Sequence, residues 1–167
     1  MTDPQISLSC YVKPLRDLVE SIKDIVPNVT FTFSEEGLDM QSMDVNKVAL
    51  VELFIPAHSF ASYTNKDDEN ITISVDLQSL SKTLKCVKAD AMCRMSWRKG
   101  ADELNMNFKS TNESFSFKLK LLNMEQQPMS IPVRNNDVTF TLPSDTYQNF
   151  TKDISALAAD VTIKVTE

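Results

Sequence analysis

Gly37-Leu38-Asp39-Met40-Gln41-Ser42-Met43-Asp44, running on into Val48-Ala49-Leu50-Val51, is the stretch on which the fold turns. Just before it Val29, Phe31 and Phe33 alternate with polar residues, the period of a half-buried strand. Gly37, one of only two glycines, ends that run, and a second strand-like segment follows at once. On physics alone this is a hairpin with a buried methionine.

Working outward, the chain begins one unit three times. Ile6, Leu8 and Cys10 alternate as a strand and lead into Tyr11 to Val26, where Leu15, Leu18, Val19, Ile22, Ile25 and Val26 fall at helical steps. Ile71, Ile73 and Val75 repeat the strand, and Leu77, Leu80, Leu84 and Val87 repeat the helix. Val138, Phe140 and Leu142 start a third copy, followed by Ser144 to Leu157 with Tyr147, Phe150, Ile154 and Leu157 on one face. Asp76 and Ser144 read as N-caps of the later two helices. Strands follow at Asn28 to Ser34, Leu38 to Met43 and Lys47 to Ile55. After the second helix they follow at Ala91 to Arg98, Leu104 to Ser110 and Glu113 to Leu121. The third copy has a single further strand, Val161 to Val165. A repeated β-α-β-β-β unit predicts an α+β fold with helices on one face of largely antiparallel sheets.

Composition agrees with a globular chain. At 167 residues it can bury a real core, and 42% apolar with 24% charged residues is an ordinary mix. No apolar run is long enough for a membrane helix, and the N-terminus does not read as a signal sequence. Cys10, Cys86 and Cys93 lack C-x-x-C spacing, so reduced structural thiols in an intracellular protein are expected. The net charge of −6 argues against a tight grip on nucleic acid, though an acidic exterior around a locally basic lining is compatible with it.

The G-L-x-x-Q-S-M-D wording followed by V-x-L-V resembles the first domain of the eukaryotic DNA sliding clamps, the proliferating cell nuclear antigen family. Further words agree in order and spacing: Val19-Glu20-Ser21-Ile22-Lys23-Asp24, Leu80 to Cys86, Phe117 to Leu121, Leu142-Pro143-Ser144 and Lys152-Asp153-Ile154-Ser155. The resemblance implies the clamp fold, with residues 1–122 as the first domain, 123–135 as the interdomain connector and 136–167 as the start of a second domain. It implies a nuclear scaffold without cofactor, metal or catalytic residue. Such a protein encircles duplex DNA and recruits polymerase, clamp loader, nuclease and ligase through short peptide motifs.

For an arbitrary protein a basic helix face is simply solvated. In the family these faces line the DNA channel, which points to Lys13, Arg16, Lys23, Lys82, Lys85 and Lys152 as phosphate contacts, sequence-independent and salt-sensitive. Asp17 departs from a position where the family commonly has lysine, so the lining is expected to be weaker. The segment Asn123 to Arg134, with Pro128 and Pro132, lacks periodicity and reads as an extended connector. In clamps its counterpart covers a peptide-binding pocket, whose matching residues here are Met43, Lys47, Val48, Leu50, Met129, Ser130, Ile131 and Pro132. Lys47 stands where histidine is common and Ser130 where glycine is common. Methionine suits a pocket that admits varied ligands.

Enzymatic readings fare worse. Asp67, Asp68 and Glu69 are consecutive, the arrangement of a solvated loop rather than converging metal ligands, so a metal-dependent nuclease is a distant alternative. His58 has no apparent catalytic partner, and there is no P-loop, G-x-S-x-G or H-E-x-x-H. A checkpoint-type or virus-encoded clamp relative is the nearer alternative. The family joins subunits along an edge strand matching Glu113 to Leu121, with Phe115, Phe117 and Leu119 as its interface residues. The partner strand of the neighbour is missing from the sequence. A homotrimer is therefore expected of a full-length product, and monomer with weak dimer of this chain.

Overall fold

Up to Leu121 the alternating and helical stretches become elements close to where the periodicity places them. A computed structural model describes residues 3–66, 69–124, 138–158 and 160–164. The order is β1 (Ile6–Tyr11), α1 (Val12–Ile22), β2 (Asn28–Phe33), β3 (Gly37–Met43), β4 (Leu50–Pro56), a 3-10 turn at Ala57–Ser59 and β5 (Ser62–Asn65). Then come β6 (Ile71–Asp76), α2 (Leu77–Lys85), β7 (Met92–Trp97), β8 (Glu103–Lys109), β9 (Ser114–Lys120) and α3 (Ser144–Ser155). The chain divides into two units, Met1–Met129 and Ser130–Glu167.

The first unit is α+β with two antiparallel sheets, as the periodicity predicts. Their strand orders are β5-β1-β7-β8-β9 and β4-β3-β2-β6. The two repeats exchange their first strands. β1 pairs with β7, Cys10 opposite Cys93, while β6 pairs with β2, Val29 opposite Val75. Each sheet thus contains a strand from the other repeat.

Inward positions of both sheets and both helices share one core, including Ile6, Leu8, Val12, Val19, Val29, Met40, Val75, Leu77, Leu84, Met106 and Phe108. Each such side chain contributes about 1.5–3 kcal/mol on burial. Met40, the methionine of the opening motif, is fully buried and sits opposite Phe31 on one side and Leu53 on the other.

Local chemistry sets the boundaries. α1 stops at Ile22 rather than Val26 because Pro27 biases its predecessor away from helix; Ile25 turns outward while Val26 stays buried. At α2 the expected cap is present, Asp76 accepting from the Ser79 N–H at 2.7 Å. At α3 it is not: Pro143 takes the cap position, so Ser144 is already helical and caps nothing. β4 starts at Leu50 rather than Lys47 because residues 44–49 are held in a turn.

β5 escaped the periodicity because Ser62-Tyr63-Thr64-Asn65 carries only one apolar side chain. Its support is tertiary. Leu8 lies opposite Tyr63, whose single hydroxyl proton is shared between the Ser34 and Gly37 carbonyls, 2.7 and 2.8 Å away, tying one sheet to the other.

In the second unit α3 shows the expected apolar face. Tyr147, Phe150 and Ile154 line a shallow cleft with Ala158, Val161 and Ile163. The strands expected at Val138–Leu142 and from Val161 are absent among the described residues, where these stretches have no ladder partner and remain exposed.

Candidate nucleic-acid and partner-binding surfaces

α1 and α2 lie side by side and antiparallel, because their cross-contacts fall in number as α1 advances. Arg16 reaches Leu84 and Val87, Glu20 reaches Ser81 and Lys85, and Asp24 reaches Gln78. The apolar stripes face the core and the polar faces form one surface.

On that surface most of the expected basic residues are engaged within the protein. Lys13 pairs with Asp17 at 2.9 Å, four residues on along the helix. Lys23 pairs with Asp24 at 3.0 Å and is largely covered. The hydrogen bonds Lys23 donates to Asp24, and the charge of that carboxylate, raise the Lys23 pKa above its ordinary value. Lys85 pairs with Glu20 at 2.9 Å, and the same carboxylate accepts from Ser81; these bonds hold the Glu20 pKa below its usual range. Arg16 donates to the Leu84 and Val87 carbonyls at the C-terminal end of α2, where a cation meets the negative end of the helix dipole. Its role within the fold is that of a helix cap. Lys82 is exposed and, among the described residues, carries no ion pair. Lys152 is exposed on α3 in the second unit. Asp17 was visible in sequence as a departure. Glu20 and Asp24 as neutralising partners were not, although Lys13 with Asp17 at helical spacing is a signal of such pairing.

The apolar tip of the β3–β4 hairpin is built by one aspartate. Asp44 accepts from the N–H groups of Asn46, Val48 and Ala49 at 3.2, 2.6 and 2.8 Å. These bonds, led by that from Ala49, hold its carboxyl below the ordinary value of 3.8. The turn places Lys47 at φ 57°, with its side chain exposed. Met43 and Leu50 are cross-strand partners, both partly exposed on the outer face. Val48 is 86% exposed and Val45, which periodicity did not single out, 80%. Four apolar side chains on one hairpin end make a patch of the kind that meets a partner. The other residues assigned to this pocket, Met129, Ser130, Ile131 and Pro132, lie outside the described residues, as do Asp67 and Asp68.

β9 forms the outer edge of the five-stranded sheet. The three residues expected at a subunit interface differ in exposure. Leu119 is buried in the chain's own core, and Phe117 packs edge-on against Phe108 at 5.7 Å. Only Phe115 of the three is substantially exposed, at 40%. Leu121 N–H donates to Asp102 O, opposite it in the ladder, so by alternation Phe115, Phe117 and Leu119 bond to β8. Ser116, Lys118 and Lys120 present their backbone groups to the open edge. What β9 offers a neighbour is backbone.

Of the three cysteines Cys86 is exposed, Cys10 is half-buried and Cys93 is buried. Cys93 is buried opposite Cys10, and burial pushes the Cys10 thiol up to about 11 and the Cys93 thiol higher still. Trp97 packs on the core and donates to the Ala101 carbonyl at 2.9 Å. His58 is exposed in the 3-10 turn. Among the described residues no three His, Cys, Asp or Glu side chains gather as metal ligands, and no helix is long and apolar enough to cross a membrane.

Comparison with known proteins agrees with this architecture. Residues 12–128 match the family model described as proliferating cell nuclear antigen, N-terminal domain. The chain is 32% identical over 152 residues to proliferating cell nuclear antigen of Chaetomium thermophilum, covering 90% of this chain and 58% of that one. It is 31% identical to proliferating cell nuclear antigen 2 of Drosophila melanogaster, covering 89% and 58%. It is also 31% identical to a probable DNA polymerase sliding clamp of Autographa californica nuclear polyhedrosis virus, covering 89% and 57%. The chain therefore spans a little under three-fifths of these relatives. A crystal structure of the Entamoeba histolytica antigen superposes with a TM-score of 0.88 at 28% identity, over 95% of this chain and 64% of that one. With the repeated unit, the two sheets and the family model in agreement over most of its length, the chain belongs to the proliferating cell nuclear antigen family.

Proposed function

We propose that this chain works as part of a DNA sliding clamp, a nuclear scaffold that holds replication and repair enzymes on the duplex and does no chemistry itself. The observation that carries the reading is the α1–α2 face: two antiparallel helices backed by sheets, with Lys13, Lys23, Lys82 and Lys85 on their polar side. Contacts made from such a face go to phosphates and leave sequence unread, which suits a protein that must slide. Lys82 leads these contacts, with Lys13, Lys23 and Lys85 beside it and Lys152 in the second unit. Support for partner recruitment comes from the exposed hairpin tip of Met43, Val45, Val48 and Leu50; the family resemblance adds Met129, Ile131 and Pro132 to the peptide-binding residues. In a full-length product subunits would join through the open backbone edge of β9 to give the trimeric ring the family resemblance implies, whereas this chain is expected as monomer with weak dimer.

Fluorescence anisotropy with two unrelated duplexes of equal length tests the reading. Equal affinities that fall together as salt rises are expected. A preference for one sequence, or strand cleavage on adding a divalent metal, would overturn it. In calorimetry with a polymerase-derived clamp-binding peptide, Leu50→Asp should weaken binding at least about tenfold, or about 1.4 kcal/mol. Unchanged affinity would move the peptide site elsewhere.

A further inference from the structure

The α1–α2 face carries its own counter-charges. Lys13, Lys23 and Lys85 are each within 3.0 Å of a carboxylate, from Asp17, Asp24 and Glu20. Asp17 and Asp24 are themselves 62% and 73% exposed, so they project where a phosphate would approach. Arg16 is committed to the end of α2. Only Lys82, of the basic residues assigned to this face, is free of any such engagement among the described residues.

We propose that Asp17, Glu20 and Asp24 are specificity-determining residues that weaken this face's hold on the DNA backbone, leaving Lys82 as its one ready phosphate contact. The inference rests on the reading that DNA passes this face. Its physical basis is ion accounting. A lysine that neutralises a phosphate releases a condensed counterion, and that release drives binding. When the lysine must first leave a carboxylate, the carboxylate takes a cation from solution and the gain cancels. The exposed Lys13–Asp17 pair is weak, and Lys85 is also more than half exposed. These lysines can therefore exchange partners, but the exchange yields little. Lys23 is held more closely, with most of its side chain covered. The result is a loose, readily moving contact in place of a firm grip.

The test uses the whole chain and a labelled random-sequence duplex, followed by anisotropy between about 50 and 200 mM salt. The variants are Lys82→Ala, Asp17→Asn and the triple Asp17→Asn/Glu20→Gln/Asp24→Asn, whose amides keep the size of the acids, remove their charge and replace one acceptor oxygen by a donor. Thermal melts check folding, and Asp17→Asn, in an exposed pair within one helix, guards against a triple variant that unfolds.

Lys82→Ala is expected to weaken binding and flatten the salt dependence. Asp17→Asn should tighten binding, and the triple should tighten it further, steepening the log–log salt slope by about 0.9 for each lysine freed. If Lys82→Ala weakens binding while neither acid variant tightens it or changes the slope, the inference fails and the DNA-facing reading stands. If no variant changes binding, both fail.

Discussion

At the scale of single residues, the opening motif derives its character from Gly37 and Asp44. Gly37 has φ 153°, and a Cβ there would lie 2.2 Å from the Ile55 carbonyl oxygen and 2.9 Å from the Ala57 nitrogen. Both obstacles are backbone of the adjoining chain, so Gly37→Ala should cost about 3 kcal/mol or more, read as a lowered denaturant midpoint with unchanged slope. Asp44 holds three N–H groups of the hairpin tip, and its native pKa is depressed. The sign follows: its stabilisation is fully present above the ordinary value of 3.8 and is lost as pH falls through the lower native value. Amide exchange at Val48 and Ala49 should therefore accelerate, relative to the rest of the sheet, only below about pH 3.8. In Asp44→Ala it should be fast at neutral pH. Arg16→Ala removes two charge-assisted bonds to the end of α2 and should cost about 2 kcal/mol in a urea melt; Arg16→Lys should recover only part, because lysine lacks the planar fork. A melt unaffected by Arg16→Ala would show that the cap carries no stability.

At the scale of elements, the period-two and period-3.6 patterns located every helix and every strand with an apolar face. They missed β5, whose residues are mostly polar and whose place depends on Leu8 and on the carbonyls that Tyr63 reaches. For β9 they put Phe115, Phe117 and Leu119 on one face without saying that this face is mostly covered by the chain's own core, because alternation says which residues share a face, not which face is buried. The open edge makes its own prediction. The Ser116 N–H points away from β8, so Ser116→Pro should leave the ladder intact and the melting temperature within a few degrees. Any concentration-dependent association through this edge should be lost, as read by sedimentation velocity. Association that persists in Ser116→Pro would place the contact elsewhere.

At the scale of the whole molecule, the exchange of first strands makes the two repeats one folding unit. β1 completes the sheet of β7, β8 and β9, while β6 completes that of β2, β3 and β4. Fragments 1–66 and 69–124 should each be largely unfolded by circular dichroism, since the first lacks β6 from the four-stranded sheet, the second lacks β1 and β5 from the five-stranded sheet, and each lacks part of the shared core. Mixed, they should regain sheet signal. A first fragment that folds cooperatively alone would refute this.

What the amino-acid sequence determined by itself was the alternation, the helical stripes, the Asp76 cap and the repeat, because these depend on neighbours along the chain. Only the tertiary structure decided the strand exchange, the burial of Leu119, the seat of β5 and the pairing of Glu20 with Lys85. It also decided that Arg16 caps α2 across 68 and 71 positions of sequence. Each of these depends on which distant groups come within a few ångströms, and periodicity carries no record of that distance.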